Sequence, residues 1–331
     1  MDATRTAALE AFVARAAGAQ RAQVRTLQPL SGGAVQENWL LDLHIEGGAF
    51  NGELHAVLRC DSPSAGVSVS LSRAHEFALL RVARAAGVTV PEALWLGDDA
   101  TLIGRPFFIM RRVGGTAAAH VLVRQPRPGL AERLGAELAR IHALRPPQPH
   151  LDFLPLPTGA PALHTLARHR AFLDALPRAY PALEWGLRWL QRRAPPRGDI
   201  VLCHRDFRTG NYMVDAQGLT AILDWEFAGW SDPLEDIGWF FARCWRFGAD
   251  RLEAGGIGTR EAFLHGYTAQ CGRVVDPRAV HYWEVMAHLS WAVICIQQAA
   301  RGVAEDALLL QLTGHIVPEL EWEILAMTEN D

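Results

Sequence analysis

The spacing of apolar residues changes character once along this chain, near residue 115, and that change limits the folds open to it. Upstream the period is that of strands. Residues 37–45 set Trp39, Leu41, Leu43 and Ile45 against Asn38, Leu40, Asp42 and His44, as in a strand with one buried face. Residues 24–30 and 54–60 read as further strands, with turns at Gly47-Gly48 and Asn51-Gly52, and two more are expected around 93–96 and 106–110. One helical run, 72–86, crosses this part and is followed by Gly87, suited to a helix C-terminus; the first residues read as an amphipathic helix. Beyond a Gly-, Ala- and Pro-rich stretch at 114–129, helical periodicity dominates 129–144, 161–193, 233–246, 260–271 and 277–325. Short strands near 200–203, 212–214 and 219–223 interrupt it. Strands with one crossing helix, then mostly helices, predict an α+β protein of two lobes around a cleft, divided as 1–112 and 113–331.

At 331 residues the chain is long enough for two such lobes. A net charge of −4 offers no basic footprint, so nucleic acid is not an expected partner. All 32 basic residues are arginine, so any cationic phosphate contact must come from a guanidinium or from backbone N–H groups. The five cysteines have no zinc-like spacing and read as thiols of a reducing compartment. No apolar run reaches membrane-spanning length and the first residues lack a signal-peptide pattern; a cytoplasmic protein with no membrane partner is expected.

The segment LCHRDFRTGNYMVDAQGLTAILDWEFAG carries the chemistry. Asp206 and Asn211 stand five apart in a polar loop after a short strand, and Asp224 closes a second strand thirteen residues later. Phosphoryl transfer asks for this set. One carboxylate orients the attacking hydroxyl and accepts its proton, while an amide oxygen and a second carboxylate hold Mg²⁺ against the phosphates. Local reasons for the same residues exist, since Asp and Asn beside Gly also staple turns.

HRDFRTGN followed by ILDWE resembles the catalytic and metal-binding segments of the aminoglycoside phosphotransferase-like kinases, relatives of choline kinases and distant cousins of protein kinases. LSGGAVQEN (30–38) is similar to that family's nucleotide-covering loop, VLRC (57–60) to its third strand, HEFALL (75–80) to its crossing helix and FFIMRRV (107–113) to its interlobe hinge. DWE with DPLED and WRFG is closest to phosphotransferase domains fused or adjacent to acyl-CoA dehydrogenases.

The resemblance implies a protein kinase-like fold and a Mg²⁺-dependent kinase of small-molecule hydroxyls, using ATP or GTP. By it, Asp206 is the catalytic carboxylate, and Asn211 and Asp224 hold the metal. Ser31, Gly32 and Gly33 lie over the phosphates, Arg59 replaces a strand lysine paired with Glu76, and Met110, Arg111, Arg112 and Val113 meet the base through their backbone. Arg73 and His75 are the neighbours a register error would substitute. His204 and Asp236 are expected to brace the catalytic loop, and Asp232 to start a helix before Pro233.

Arg208, Glu226 and Arg246 are candidate substrate contacts; two arginines near the acceptor favour an anionic hydroxy compound such as a hydroxy acid or acyl-thioester. Three alternatives stay open: an aminoglycoside or macrolide phosphotransferase, a nucleotide-binding pseudokinase, and a protein kinase. The last is disfavoured because only seven residues separate Asp224 from Asp232, too few for a peptide-docking segment.

Overall fold

The computed structural model describes residues 1–30, 36–61, 70–196, 198–300 and 313–329. The chain packs as two units. The first joins Met1–Gly115 to Pro147–Phe153 and Tyr212–Phe227; the second holds Thr116–Pro146, Leu154–Asn211 and Ala228–Asp331. The hairpin and turn that end at Asp224 therefore pack with the N-terminal strands, although sequence order places them within the helical part.

The first unit is built on helix α1 (Ala3–Ala16) and a five-stranded antiparallel sheet of β1 (Arg21–Pro29), β2 (Gln36–Glu46), β3 (Gly52–Asp61), β4 (Ala93–Gly97) and β5 (Phe107–Arg111), in the order β1-β2-β3-β5-β4. The alternation in β2 does what its period predicts: Leu41, Leu43 and Ile45 are buried, with Leu9 and Val13 of α1 in the same core. Helix α2 (Arg73–Ala85) starts at Ser72, whose hydroxyl accepts the His75 N–H, and stops before Gly87 at φ +81°.

In the second unit α3 (Ala119–Arg124), α4 (Leu130–Ile141), α5 (Pro161–Asp174), α6 (Pro181–Arg192), α7 (Pro233–Phe241), α8 (Arg260–Cys271), α9 (Pro277–Ala299) and α10 (Val317–Thr328) enclose the two-stranded pair of β6 (Val201–Cys203) and β9 (Gly229–Ser231). Strands β7 (Tyr212–Val214) and β8 (Leu219–Ile222) form the hairpin of the first unit.

Four expectations need correction. The run 161–193 is two helices, because Pro177 and Pro181 cannot continue an N–H ladder and Pro181 opens α6 instead. The helix from 233 ends at Phe241, and a 3₁₀ turn, Arg243–Trp245, follows. The stretch 277–325 holds α9 and α10 as separate helices, residues 301–312 lying outside the described set. Helix α3 and strand β9 give too few residues for any period to declare them. Helix α7 sits hard on α9: a Cβ on Gly238 would lie 2.5 Å from the Trp283 backbone carbon.

On that interface His288 of α9 is buried, with Nδ1 2.7 Å from the Glu284 carbonyl and Nε2 accepting the Arg243 N–H at 3.2 Å. Burial pushes its pKa from 6.5 down to about 4, since protonation would cost both solvation and the Nε2 acceptor. Burial pushes His169 down to about 3 in the same way, helped by Arg168. The stability these neutral imidazoles carry is complete above pH 6.5 and is lost as pH falls toward about 4. Asp232, raised by burial to about 6, works oppositely, contributing below about 4 and losing that contribution between 4 and 6. With two groups against one, denaturant midpoints should fall between pH 6.5 and 4.5. His288→Gln should flatten the slope by up to about 1.4 kcal/mol per pH unit. An unchanged slope would remove His288 from the acid response.

Candidate active site

Arg59 lies on β3 opposite Asn38 of β2 and Phe108 of β5. Its guanidinium is buried, and each of its nitrogens meets a partner. Nε donates to Glu76 Oε2 at 2.9 Å, Nη2 to Asp224 Oδ1 at 2.7 Å, and Nη1 reaches Asn38 Oδ1 at 3.5 Å. Burial alone would weaken the charged form; the Glu76 and Asp224 carboxylates overcome it and push the Arg59 pKa up. Between a register slip and the expected pairing, the geometry selects the pairing. Arg73 nevertheless shares it: fully buried, it contacts the same Glu76 oxygen, lies 2.9 Å from Asp61, and donates to the Leu71 carbonyl at 2.9 Å. His75 instead stacks on Phe153, 3.9 Å between ring centres.

Asp224 follows β8 with φ +62°, a left-handed conformation that Asp tolerates better than most side chains and that concentrates at functional turns. Two residues on, Glu226 is buried rather than presented to a substrate: Oε2 accepts from the Ser70 hydroxyl at 2.6 Å, and its carbonyl accepts the Leu71 N–H at 2.8 Å. A carboxylate at that depth serves the Arg73 network, 4.0 Å away, which corrects its reading as a substrate contact.

The stretch Met110–Val113 is also altered. The N–H groups of Arg111 and Arg112 go to the carbonyls of Glu92 and His55, and their side chains pair with Glu92 and Asp42. Two of the donors expected to meet a base are thus spent in the sheet. Ser31, Gly32 and Gly33 lie outside the described residues.

In the second unit β6 delivers the polar loop. Asp236 of α7 accepts the His204 and Arg205 N–H groups, one on each oxygen, both at 2.7 Å. Arg205 has φ +63°, and these bonds hold that turn. Burial alone would raise the Asp236 pKa, but His142 Nε2 at 3.1 Å and the loop N–H groups keep it below the ordinary carboxylate value. The sequence reading of His204 and Asp236 as braces matches this geometry, and Asp232 caps α7 through the Leu234 N–H. His142, Cys203 and Asp236 are close enough to suggest a metal cluster. Their atoms hold the loop instead: Cys203 donates to the Asp232 carbonyl at 3.3 Å, and burial pushes its thiol pKa up.

Asp206 sits in this loop with its carboxylate hydrogen-bonded. Oδ1 accepts from Arg208 Nε and Trp239 Nε1, both at 3.0 Å, and Oδ2 from Asn211 Nδ2 at 2.6 Å. Sequence reasoning did not single out Trp239 for this role; its place three residues beyond Asp236, on the same face of α7, is the signal that could have found it. Asn211 also donates to the Asp206 carbonyl at 2.9 Å, which leaves its amide oxygen at the opposite end. The amide oxygen of Asn211 in the second unit and the partly exposed carboxylate of Asp224 in the first are each hard oxygen donors of the kind Mg²⁺ takes.

Arg208 lies over the Trp245 ring at 4.7 Å. Arg246 is corrected as a substrate contact. Its Nε and Nη2 donate to the Phe241 carbonyl, at the end of α7 where the last carbonyls need donors, and its Nη1 donates to the Asp250 carbonyl.

The family model of the phosphotransferase enzyme family matches residues 26–280. The chain belongs to that family. It is similar to acyl-CoA dehydrogenase family member 10 of Mus musculus (27% identical over 173 residues, 49% of this chain and 16% of that protein). It is also similar to family member 11 of Gallus gallus (30% over 171 residues, 49% and 22%). The chain thus spans less than a quarter of the curated relatives it matches.

Among solved structures, the fold matches a Ralstonia eutropha protein provisionally described as an aminoglycoside phosphotransferase (TM-score 0.73, 18% identity, 98% of each chain). It also matches a spectinomycin phosphotransferase in complex with ADP and spectinomycin (TM-score 0.64, 12% identity, 96% and 97%). The fold is α+β and protein kinase-like. Among the described residues no helix is long and apolar enough to cross a membrane.

Proposed function

We propose that this chain transfers the γ-phosphoryl group of ATP to the hydroxyl of a small molecule that carries an anionic group, such as a hydroxy acid or its acyl-thioester. The observation that carries the reading is Asp206, a carboxylate held by Arg208, Trp239 and Asn211 on the loop whose HRDFRTGN motif resembles the family's catalytic segment. The acceptor oxygen bonds to the γ-phosphorus as the bond to the β-phosphate oxygen breaks; ADP leaves, and the hydroxyl proton passes to Asp206. Arg59, fixed by Glu76, presents its charge to the phosphates from the strand-rich part, and the acceptor is handled by the helical part, the division read near residues 112–113. Asn211 and Asp224 would hold Mg²⁺, which supplies charge neutralisation at the phosphates when bound.

GTP is the alternative donor, since solved relatives include GDP as well as ADP complexes. An aminoglycoside acceptor is the second reading, favoured by the spectinomycin and kanamycin complexes of fold relatives. Against it stands charge: a polycation would meet the Arg208 guanidinium, 3.0 Å from Asp206. The test is an ATP-consumption screen over hydroxy acids, acyl-thioesters, amino alcohols, aminoglycosides and macrolides, with and without Mg²⁺ and with Asp206→Asn alongside. Mg²⁺-dependent ADP formation with hydroxy acids is expected. Efficient use of an aminoglycoside alone would overturn the acceptor class, and binding without turnover of any acceptor would mark a pseudokinase.

Arg59 provides a further expectation. Its three nitrogens meet three partners, and a lysine has one nitrogen to offer. Arg59→Lys should keep turnover with a modestly raised nucleotide KM. Arg59→Ala, which removes charge-assisted bonds and leaves Glu76 to Arg73 alone, should raise that KM by about 10- to 100-fold. Steady-state kinetics at varied ATP checks both. An unchanged KM in the alanine variant would move the phosphate contact away from Arg59.

A further inference from the structure

The loop that carries Asp206 also carries the means to keep it occupied. Oδ1 accepts hydrogen bonds from Trp239 Nε1 and from Arg208 Nε. Trp239 is buried in α7 and packs on Trp245 and Trp291, so its bond is a fixture. Arg208 is different. Its side chain is about a quarter exposed, and its guanidinium carbon lies over the Trp245 ring. Nη1 makes only a long contact of 3.4 Å with the Thr209 carbonyl, and Nη2 has no hydrogen-bond partner among the described residues. The guanidinium thus holds the carboxylate with one nitrogen while its Nη1–Nη2 edge keeps donors for a planar anion.

Resting on the kinase reading above, we infer that Arg208 is a latch on Asp206 that an anionic group of the acceptor opens. A carboxylate or phosphate on the Nη1–Nη2 edge makes the bidentate contact that guanidinium favours. It shares the positive charge, loosens the Nε bond, and frees on Oδ1 the position that must receive the hydroxyl proton. Trp245 holds the ring-stacked guanidinium in plane through the change. Water brings no such anion, so transfer to water, which would yield ADP and inorganic phosphate with the water proton passing to Asp206, is suppressed while the latch is closed. Arg208 is then a specificity-determining residue: it selects acceptors by a charge remote from their reacting hydroxyl.

The test uses the full chain with Mg-ATP, short hydroxy acids, and their methyl esters, which keep the hydroxyl and lose the charge. Wild type should prefer acid over ester by about 10- to 100-fold in kcat/KM, the worth of a charge-assisted bidentate contact. Arg208→Gln should bring that ratio close to one, chiefly through the KM for acids, and should raise ATP hydrolysis without acceptor several-fold. Arg208→Lys, with no fork, should recover part of the preference. Nucleotide binding by calorimetry in each variant shows that the fold is intact. If acids are phosphorylated but Arg208→Gln keeps the preference, or hydrolyses ATP no faster without acceptor, the latch is wrong. If wild type forms no phosphorylated product from any acceptor, the kinase reading itself falls.

Discussion

Asp206→Asn is expected to lower turnover by about 10²- to 10⁴-fold while nucleotide affinity changes little, the range for losing a positioned proton acceptor. The side chain keeps its shape, so Trp239 and Arg208 can still donate to the remaining oxygen. What disappears is the negative charge and the second acceptor. The new amide nitrogen faces Asn211 Nδ2 where Oδ2 stood at 2.6 Å, so Asn211 must turn its own amide over. That couples the substitution weakly to the metal, and a small loss of Mg-nucleotide affinity is expected with the large loss of turnover. Single-turnover kinetics with calorimetry for the nucleotide separates the two. Equal losses in both would point to a folding defect, and turnover near wild type would remove Asp206 from the chemistry.

Asp224→Ala should act on binding first. It takes away the partner of Arg59 Nη2 and a hard oxygen at one stroke. It also asks alanine to hold φ +62°, which costs about 1–2 kcal/mol. Mg²⁺-dependent nucleotide affinity should fall by at least about 100-fold, as for a lost charged partner left buried. Asp224→Asn is the companion variant: asparagine tolerates the left-handed backbone and keeps an oxygen for Arg59, so its loss isolates the missing charge. Calorimetry with and without Mg²⁺ decides. An unchanged Mg²⁺ increment in the alanine variant would show that the metal is held elsewhere.

The parts of the site that lay close in sequence were readable because their geometry is local. Asp206 and Asn211 share one loop, and a spacing of five residues with a glycine between them brings their side chains into contact, as found at 2.6 Å. The alternation in β2 and the cap at Ser72 are likewise decided within a few residues. Arg208 was singled out as a neighbour of Asp206, but its contact with that carboxylate needed the loop's fold.

Where reading failed, the cause was burial and long-range partnership. Glu226 and Arg246 look from sequence like any charged side chain beside a motif. One lies in a buried network with Ser70 and Arg73, more than 150 residues away, and the other satisfies the carbonyl end of α7. Arg73 could be named only as a neighbour, since being fully buried and sharing Glu76 with Arg59 is a property of three elements packed together. Sequence alone determined the α+β order and the family, because periodicity and motif spacing act over a turn or a strand. Tertiary packing decided which charges the protein spends on itself: a buried guanidinium or carboxylate must be paired, and the fold brings its partner from far along the chain.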